Sequence, residues 1–239
     1  MNNTYSLVTL LKKILIHQKG IQFYQIVKTF AAGETIFSPE KPAEGIYCLL
    51  EGVVKLSRID RTGKEIPLIF LPPNNLFGML WSLSNSVGGS YSAVAWSPVS
   101  LFSLTNAQFQ QVLKEFPELS SLIVMELSQR LLRTQKMIDV LVQRDLFTRL
   151  TLFLLLLCDD FGIQTEAGIS IKLKLTHQNI ADLIRSSRPS VTHLLQLLRS
   201  KQIISIDKRT IVVHNPQVLS RYSRESLLQE ESVLEKLSG

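Results

Sequence analysis

The residues best able to do chemistry in this 239-residue sequence fall in one stretch. Between Thr176 and Arg199 stand Ser187, Arg188, Ser190, Thr192, His193 and Gln196, left outward on a helix whose apolar residues turn inward. These side chains donate and accept hydrogen bonds in fixed directions, and an Arg can engage guanine O6 and N7 with both arms of its fork. That is recognition chemistry. Bond-making chemistry has little to stand on. The four histidines, His17, His177, His193 and His214, lie in the N-terminal lead-in, in this stretch and just beyond it. No nucleophile elbow, phosphate loop or metal-ligand spacing is present. Cys48 and Cys158, the two cysteines, sit in apolar runs. They cannot build a disulfide framework, a four-Cys zinc site or a cysteine-ligated cluster, and read as buried reduced thiols. No metal site and no cofactor is expected.

The elements that must hold these side chains follow from the apolar pattern. Thr176 caps a first helix whose inner face is Ile180, Leu183 and Ile184, with Ala181 small enough for close approach. After a short turn, a second helix buries Val191, Leu194, Leu195 and Leu198. A hairpin follows, Ile203 to Ile206 and Ile211 to Val213, turning at Asp207-Lys208-Arg209. The pattern is a helix-turn-helix with a β-wing, its second helix offered to the major groove of DNA. Helix pairs with this spacing also occur without DNA.

Charge separates the two readings. The formal charge is +6 and the pI about 9.4. A diffuse surplus would admit an anionic membrane as readily as nucleic acid. From 172 to 214, however, eight bases face two acids, a difference equal to the entire net charge. Such concentration is an electrostatic footprint for nucleic acid. The candidate DNA-binding set is Thr176, His177, Gln178, Arg185, Ser187, Arg188, Ser190, Thr192, His193, Gln196, Lys208 and Arg209. Arg188 is assigned a guanine contact, with a phosphate contact as the alternative. Lys208 and Arg209 are assigned phosphate.

The remainder of the chain has two other textures. Residues 1 to about 25 form a helical lead-in without a secretory signal or transit peptide. From Val27 to about Leu104 come short strands: Ile36-Phe37, Ile46 to Leu50, Val53 to Leu56, Ile66 to Leu71 and Tyr91 to Trp96. Gly33, Gly45, Gly52, the Asp60–Lys64 turn and Pro72-Pro73 separate them, suggesting a sandwich or rolled barrel. Thr105 caps a short helix, and Pro117 opens a long one. Along the latter Ser120, Val124, Leu127, Leu131, Thr134, Ile138 and Leu141 stand four and three residues apart, five of the seven apolar, a seam suited to a partner helix. The alternative is a helix packed on its own domain. Val142 to Asp145 reads as a hinge, followed by an apolar helix at 146–160, a turn at Gly162 and a strand from Gly168 to Leu175. The longest apolar run, Leu150 to Cys158, is too short to span a bilayer. The expected fold is α+β. An N-terminal β-roll with its helical lead-in fills 1–116, a dimerisation helix 117–142, a C-terminal winged helix-turn-helix 143–216, and a polar tail 217–239.

These parts in this order resemble the CRP/FNR family of bacterial transcription regulators, and within it the nitrogen regulators of cyanobacteria and some algal plastids. The matching stretches are Thr35-Ile36-Phe37, Pro42-Ala43-Glu44, Leu49 to Arg58, Phe77-Gly78, Arg144-Asp145, Leu173 to Gln178 and Ile203 to Ile206. The resemblance covers about 25 to 222. It implies a roll of the cyclic-nucleotide-binding type and a homodimer on palindromic GTA-N8-TAC-like sites in double-stranded DNA. It further implies RNA polymerase as a partner and 2-oxoglutarate as effector. A plastid stroma is the implied compartment, with cyanobacterial cytoplasm as the alternative.

Departures from the family pattern bear on the effector. Members that bind cAMP carry an acid just after the Phe-Gly pair and an Arg shortly beyond; here Met79-Leu80 follow, and residues 66–113 hold no charged residue and no His. A phosphate would find no counter-charge there, so cAMP is not expected. For the nitrogen regulators the resemblance implies an effector set of Phe77, Gly78, Met79 and Leu80 in the turn, with Arg130 and Thr134 on the long helix. The family's roll Arg falls at Gly88-Gly89 here, and a helix acid is Gln135. A binder that has lost its effector is therefore the alternative. In the DNA-binding part, the family's turn Gly is Arg185, Pro189 stands beside the retained Arg188, and His193 replaces an Arg. Arg185 should then carry a strained positive φ of about 1 kcal/mol, or the turn should change shape.

Overall fold

A computed structural model describes residues 7–19, 27–79 and 91–221. The chain divides into two compact units, Met1–Gln129 and Arg130–Gly239.

The described residues of the first unit form eight strands: β1 (Val27–Phe30), β2 (Thr35–Phe37), β3 (Ile46–Glu51), β4 (Val54–Ile59), β5 (Glu65–Leu71), β6 (Leu76–Phe77), β7 (Tyr91–Ala95) and β8 (Val99–Leu104). They form two antiparallel sheets, β1-β8-β3-β6 and β2-β7-β4-β5. Pairing of Val54 with Ala95 and of Leu56 with Ala93 turns all four side chains inward. There they meet Tyr47, Leu49, Phe77, Val99 and Leu101 of the facing sheet. The consecutive apolar residues Ile46-Tyr47-Cys48-Leu49 have a simple cause: this sheet is covered on both faces. Tyr47 and Leu49 point between the sheets, while Ile46 and Cys48 point outward beneath helix α1 (Leu7–Lys19). Leu7, Val8, Leu11 and Leu15 of α1 close that second layer, together with Phe109 and Val112 of α2 (Asn106–Glu115). The predicted Thr105 cap of α2 is a full capping box with Gln108.

Gly78 ends the β6 turn at φ 86°. A Cβ there would lie 2.5 Å from the Gly45 carbonyl oxygen and 2.8 Å from the Tyr47 ring. Gly78→Ala is expected to lower stability by about 2–4 kcal/mol, the sum of left-handed strain and overpacking. Urea unfolding measures it, and a loss below about 0.5 kcal/mol, the scatter of surface substitutions, would contradict it.

Helix α3 (Glu118–Val142) is continuous over 25 residues and opens one residue after Pro117. The second unit contains α4 (Leu146–Phe161), β9 (Gly162–Thr165), β10 (Gly168–Ile171), α5 (His177–Leu183), α6 (Arg188–Ser200), β11 (Ile204–Asp207) and β12 (Thr210–Val213). Asp145 accepts from the Thr148 backbone at 2.7 Å and caps α4. The apolar α4 is the centre of this unit, burying Leu150, Phe153, Leu154, Leu157 and Phe161. Arg133 and Lys136 of α3 pair with Asp160 and Asp159 at its far end, at 2.9 and 2.8 Å.

Several expectations need correction here. Gly162 is not a turn but the first residue of β9, which pairs with β10. All four β9 residues are exposed, so no apolar alternation announces the strand. The strand from 168 ends at Ile171, and the next residues continue extended, with Leu173 and Leu175 buried. Leu194 is only partly buried, whereas Val191, Leu195 and Leu198 form the inner face of α6. Packing also continues past 216, since Leu219 is fully buried. The tail from 222 lies outside the described residues.

Among the described residues no helix is long and apolar enough to cross a membrane, and no cluster of His, Cys, Asp or Glu could hold a metal ion. Burial pushes the thiols of Cys48 and Cys158 upward, that of Cys158 to about 11 with help from Asp159, so both stay protonated at neutral pH.

Candidate nucleic-acid interface

The second unit assembles the helix-turn-helix from local rules. Thr176 accepts from the Asn179 backbone at 3.1 Å, while the Asn179 side chain accepts from the Thr176 backbone at 2.9 Å. That capping box starts α5. Gln178, exposed on the first turn, donates to Asp182 at 3.0 Å. Ser187 caps α6, accepting from the Ser190 backbone at 3.2 Å, and the two hydroxyls lie 2.7 Å apart. Pro189 occupies the first turn of α6, where a missing N–H costs nothing.

Between the helices Arg185 stands at φ 55°. The turn keeps its left-handed shape although glycine is absent. Its geometry is a Schellman closure: the Ser186 amide donates to the Ala181 carbonyl at 2.8 Å. Arg185→Gly is expected to stabilise the protein by about 1 kcal/mol by removing that strain. Urea unfolding tests it, and a destabilised variant would show that the Arg185 side chain contributes more than its backbone costs.

The side chain of Arg149, on α4, donates to the carbonyls of Ile184 and Arg185 at 2.9 and 3.1 Å. Sequence reading missed this residue, and a partner 35 residues away leaves no local signal. The His177 ring and the Thr192 hydroxyl, both assigned to DNA, meet at 2.8 Å. Thr192 donates its one hydrogen to the Arg188 carbonyl at 2.9 Å, so His177 Nδ1 must be the donor to Thr192. The pair thus ties the start of α5 to the first turn of α6.

Arg188, His193 and Gln196 are exposed along α6. Lys208 and Arg209 make the wing tip, at φ 43° and 69°. Two consecutive left-handed residues match the hairpin turn that usually selects Asn-Gly, here occupied by two cations. All eight basic side chains between 172 and 214 are exposed. The unit therefore presents a capped helix with a hydrogen-bonding outer face, among cations that no nearby acids neutralise in number.

The seam residues of α3 are uncovered as well. Val124, Leu127, Leu131, Ile138 and Leu141 are 62%, 40%, 60%, 52% and 37% exposed, although Val140 between the last two is buried. On the same helix Thr134 donates to the Arg130 carbonyl at 3.0 Å. In the first unit Phe77 is fully buried, stacked on Tyr47 at 5.1 Å. Met79 is buried; Leu80, Gly88 and Gly89 lie outside the described residues.

Comparison with known proteins agrees with this arrangement. Residues 27–116 match the cyclic nucleotide-binding domain, and residues 148–222 the Crp-like helix-turn-helix domain. The chain is 50% identical over 200 residues to the global nitrogen regulator of Nostoc sp. strain PCC 7120, covering 83% of this chain and 90% of that protein. It is 44% identical over 220 residues to that of Synechococcus elongatus strain PCC 7942, covering 92% and 97%. A solved CRP-family transcriptional regulator from Thermus thermophilus superposes with a TM-score of 0.68 at 26% identity, covering 82% of this chain and 96% of that one. Fold, charge and these relatives converge: the chain belongs to the CRP/FNR family and is a DNA-binding transcription regulator, not an enzyme.

Proposed function

We propose that the protein is a homodimer that reads GTA-N8-TAC-like palindromes through α6 and regulates nitrogen-control genes, as activator at most of them. One observation carries the reading: the exposed bases of 172–214 surround a recognition helix that bears Arg188 in its first turn. Arg188 pairs with a guanine of the half-site. His193 and Gln196, farther along the helix, reach the next base edges or phosphates. Ser187 and Ser190 add contacts at the helix start, as do Thr176, His177 and Gln178 at the start of α5. Arg185, Lys208 and Arg209 engage phosphate and set affinity. Val124, Leu127, Leu131, Ile138 and Leu141 pair with their copies across the dimer axis, which fixes the spacing of the two α6 helices on the duplex.

The effector in this reading is 2-oxoglutarate, held by Arg130, Thr134 and backbone groups of Phe77 to Leu80. Its binding shifts the dimer toward the DNA-competent state. A second reading, an effector-independent regulator, is favoured by the uncharged stretch 66–113 and the closed packing around Phe77. RNA polymerase is the partner at activated promoters. The compartment is a plastid stroma, or the cytoplasm of a cyanobacterium.

Fluorescence anisotropy with a GTA-N8-TAC duplex and a duplex of scrambled half-sites tests the reading. Preference for the palindrome is expected, strengthened by millimolar 2-oxoglutarate. Equal affinity for both duplexes would overturn site reading, and affinity unmoved by 2-oxoglutarate would select the effector-independent form.

A further inference from the structure

We propose that Arg149 is a positioning residue for DNA reading: its guanidinium clamps the helix-turn-helix turn and so fixes where α6 begins. The inference rests on the reading of α6 as the recognition helix. Nη1 of Arg149 bonds two consecutive carbonyls, Ile184 at 2.9 Å and Arg185 at 3.1 Å. They lie at the C-terminus of α5, Ile184 as its C-cap and Arg185 as the left-handed residue after it, where the negative end of the helix dipole falls. A cation is the fitting partner for them, and a planar fork can hold two directions at once. Nη2 lies 3.4 Å from the Arg144 carbonyl, the long limit of a hydrogen bond. One guanidinium therefore touches the backbone just before α4 and the turn just after α5.

The position matters because of what sits in the turn. Arg185 holds φ 55°, a conformation that side chains other than glycine's resist. The turn consequently needs outside support, and Ser187 and Arg188 follow within three residues. Release of the two carbonyls would let Arg185 relax toward ordinary backbone angles and re-aim the first turn of α6. The Nε of Arg149 is buried without a hydrogen-bond partner, while the residue as a whole is half-buried. Within the motif the turn is closed by the Ser186–Ala181 bond, and Arg149 adds a hold from outside it.

Arg149→Gln and Arg149→Lys in the full-length protein test the clamp. In the DNA-free protein, exchange of the Ser186 amide, which closes the turn onto Ala181, should accelerate about tenfold or more in Arg149→Gln, with Arg149→Lys in between, as an ammonium keeps the charge without the planar fork. With both variants folded at the assay temperature, the preference for palindrome over scrambled duplex should fall about tenfold for Gln, at unchanged dependence on salt. Unchanged Ser186 exchange would overturn the clamp. So would an affinity loss accompanied by a salt slope lower by about one, because that would put the guanidinium on a phosphate. Equal loss on both duplexes would reduce Arg149 to general stability and also overturn it. If Arg149→Gln does not fold, Arg149→Lys carries the same readings. Should the wild type show no palindrome preference, the DNA-reading proposal fails, while Ser186 exchange still decides the clamp.

Discussion

Replacement of Arg188 by Ala is expected to weaken binding to a GTA-N8-TAC duplex by about tenfold to a hundredfold or more per half-site. A bidentate Arg–guanine pair contributes about 1–3 kcal/mol of discrimination. The magnitude depends on preorganisation, and here it is high. Arg188 is the first residue of α6, directly after the Ser187 cap and before Pro189, whose ring fixes its own φ. Its carbonyl is held by Thr192, which His177 holds in turn. The guanidinium therefore leaves a stiff base, and little side-chain ordering is needed beyond its own rotamers. Binding to a scrambled duplex should change far less, since the other seven exposed bases of 172–214 remain. Anisotropy titrations on both duplexes decide it. Equal losses on both would assign Arg188 to phosphate, and equal affinity of variant and wild type would remove it from the interface.

A charge in the seam should have the larger effect. Leu131→Lys is expected to convert the protein to a monomer of 27.0 kDa in sedimentation and to weaken palindrome binding by about a hundredfold or more. Leu131 is 60% exposed on the single chain, midway along a stripe that also includes Val124 and Ile138. Pairing with a copy would bury these side chains, each contributing about 1.5–3 kcal/mol when fully removed from water. Symmetry doubles the insult: two ammonium groups would face each other across the axis in an apolar layer. Without the dimer, two half-site contacts no longer act as one binding event. A dimeric Leu131→Lys protein would show that the stripe is not the association surface. Because Leu131 is exposed on the chain itself, loss of the dimer need not involve loss of the fold, and circular dichroism separates the two.

The helix-turn-helix was legible because its signals are short-range. Thr176 and Ser187 bond to backbone three residues on, and Pro189 is harmless only within a first turn. For Arg185, where the family resemblance has glycine, the sequence left open a strained turn or one of another shape, and the structure has φ 55°. The wing turn at Asp207 to Arg209 followed from the gap between two β-branched runs, and β11 and β12 pair across it. Strand β9 was invisible, because a strand with four exposed residues has no apolar period to read.

By itself, the sequence determined the helix-turn-helix, its wing and where the charge lies, since these depend on residues within a turn or two of each other. It left the heptad stripe of α3 with two readings, because periodicity reports that a face is apolar and not what covers it. Tertiary structure decided that Val140 is covered within the chain while Val124, Leu131 and Ile138 are not. It also decided that His177 and Thr192, 15 residues apart, bond each other, and that Arg149 reaches a turn 35 residues away. Such contacts are fixed only when packing brings distant segments together, so no local pattern encodes them.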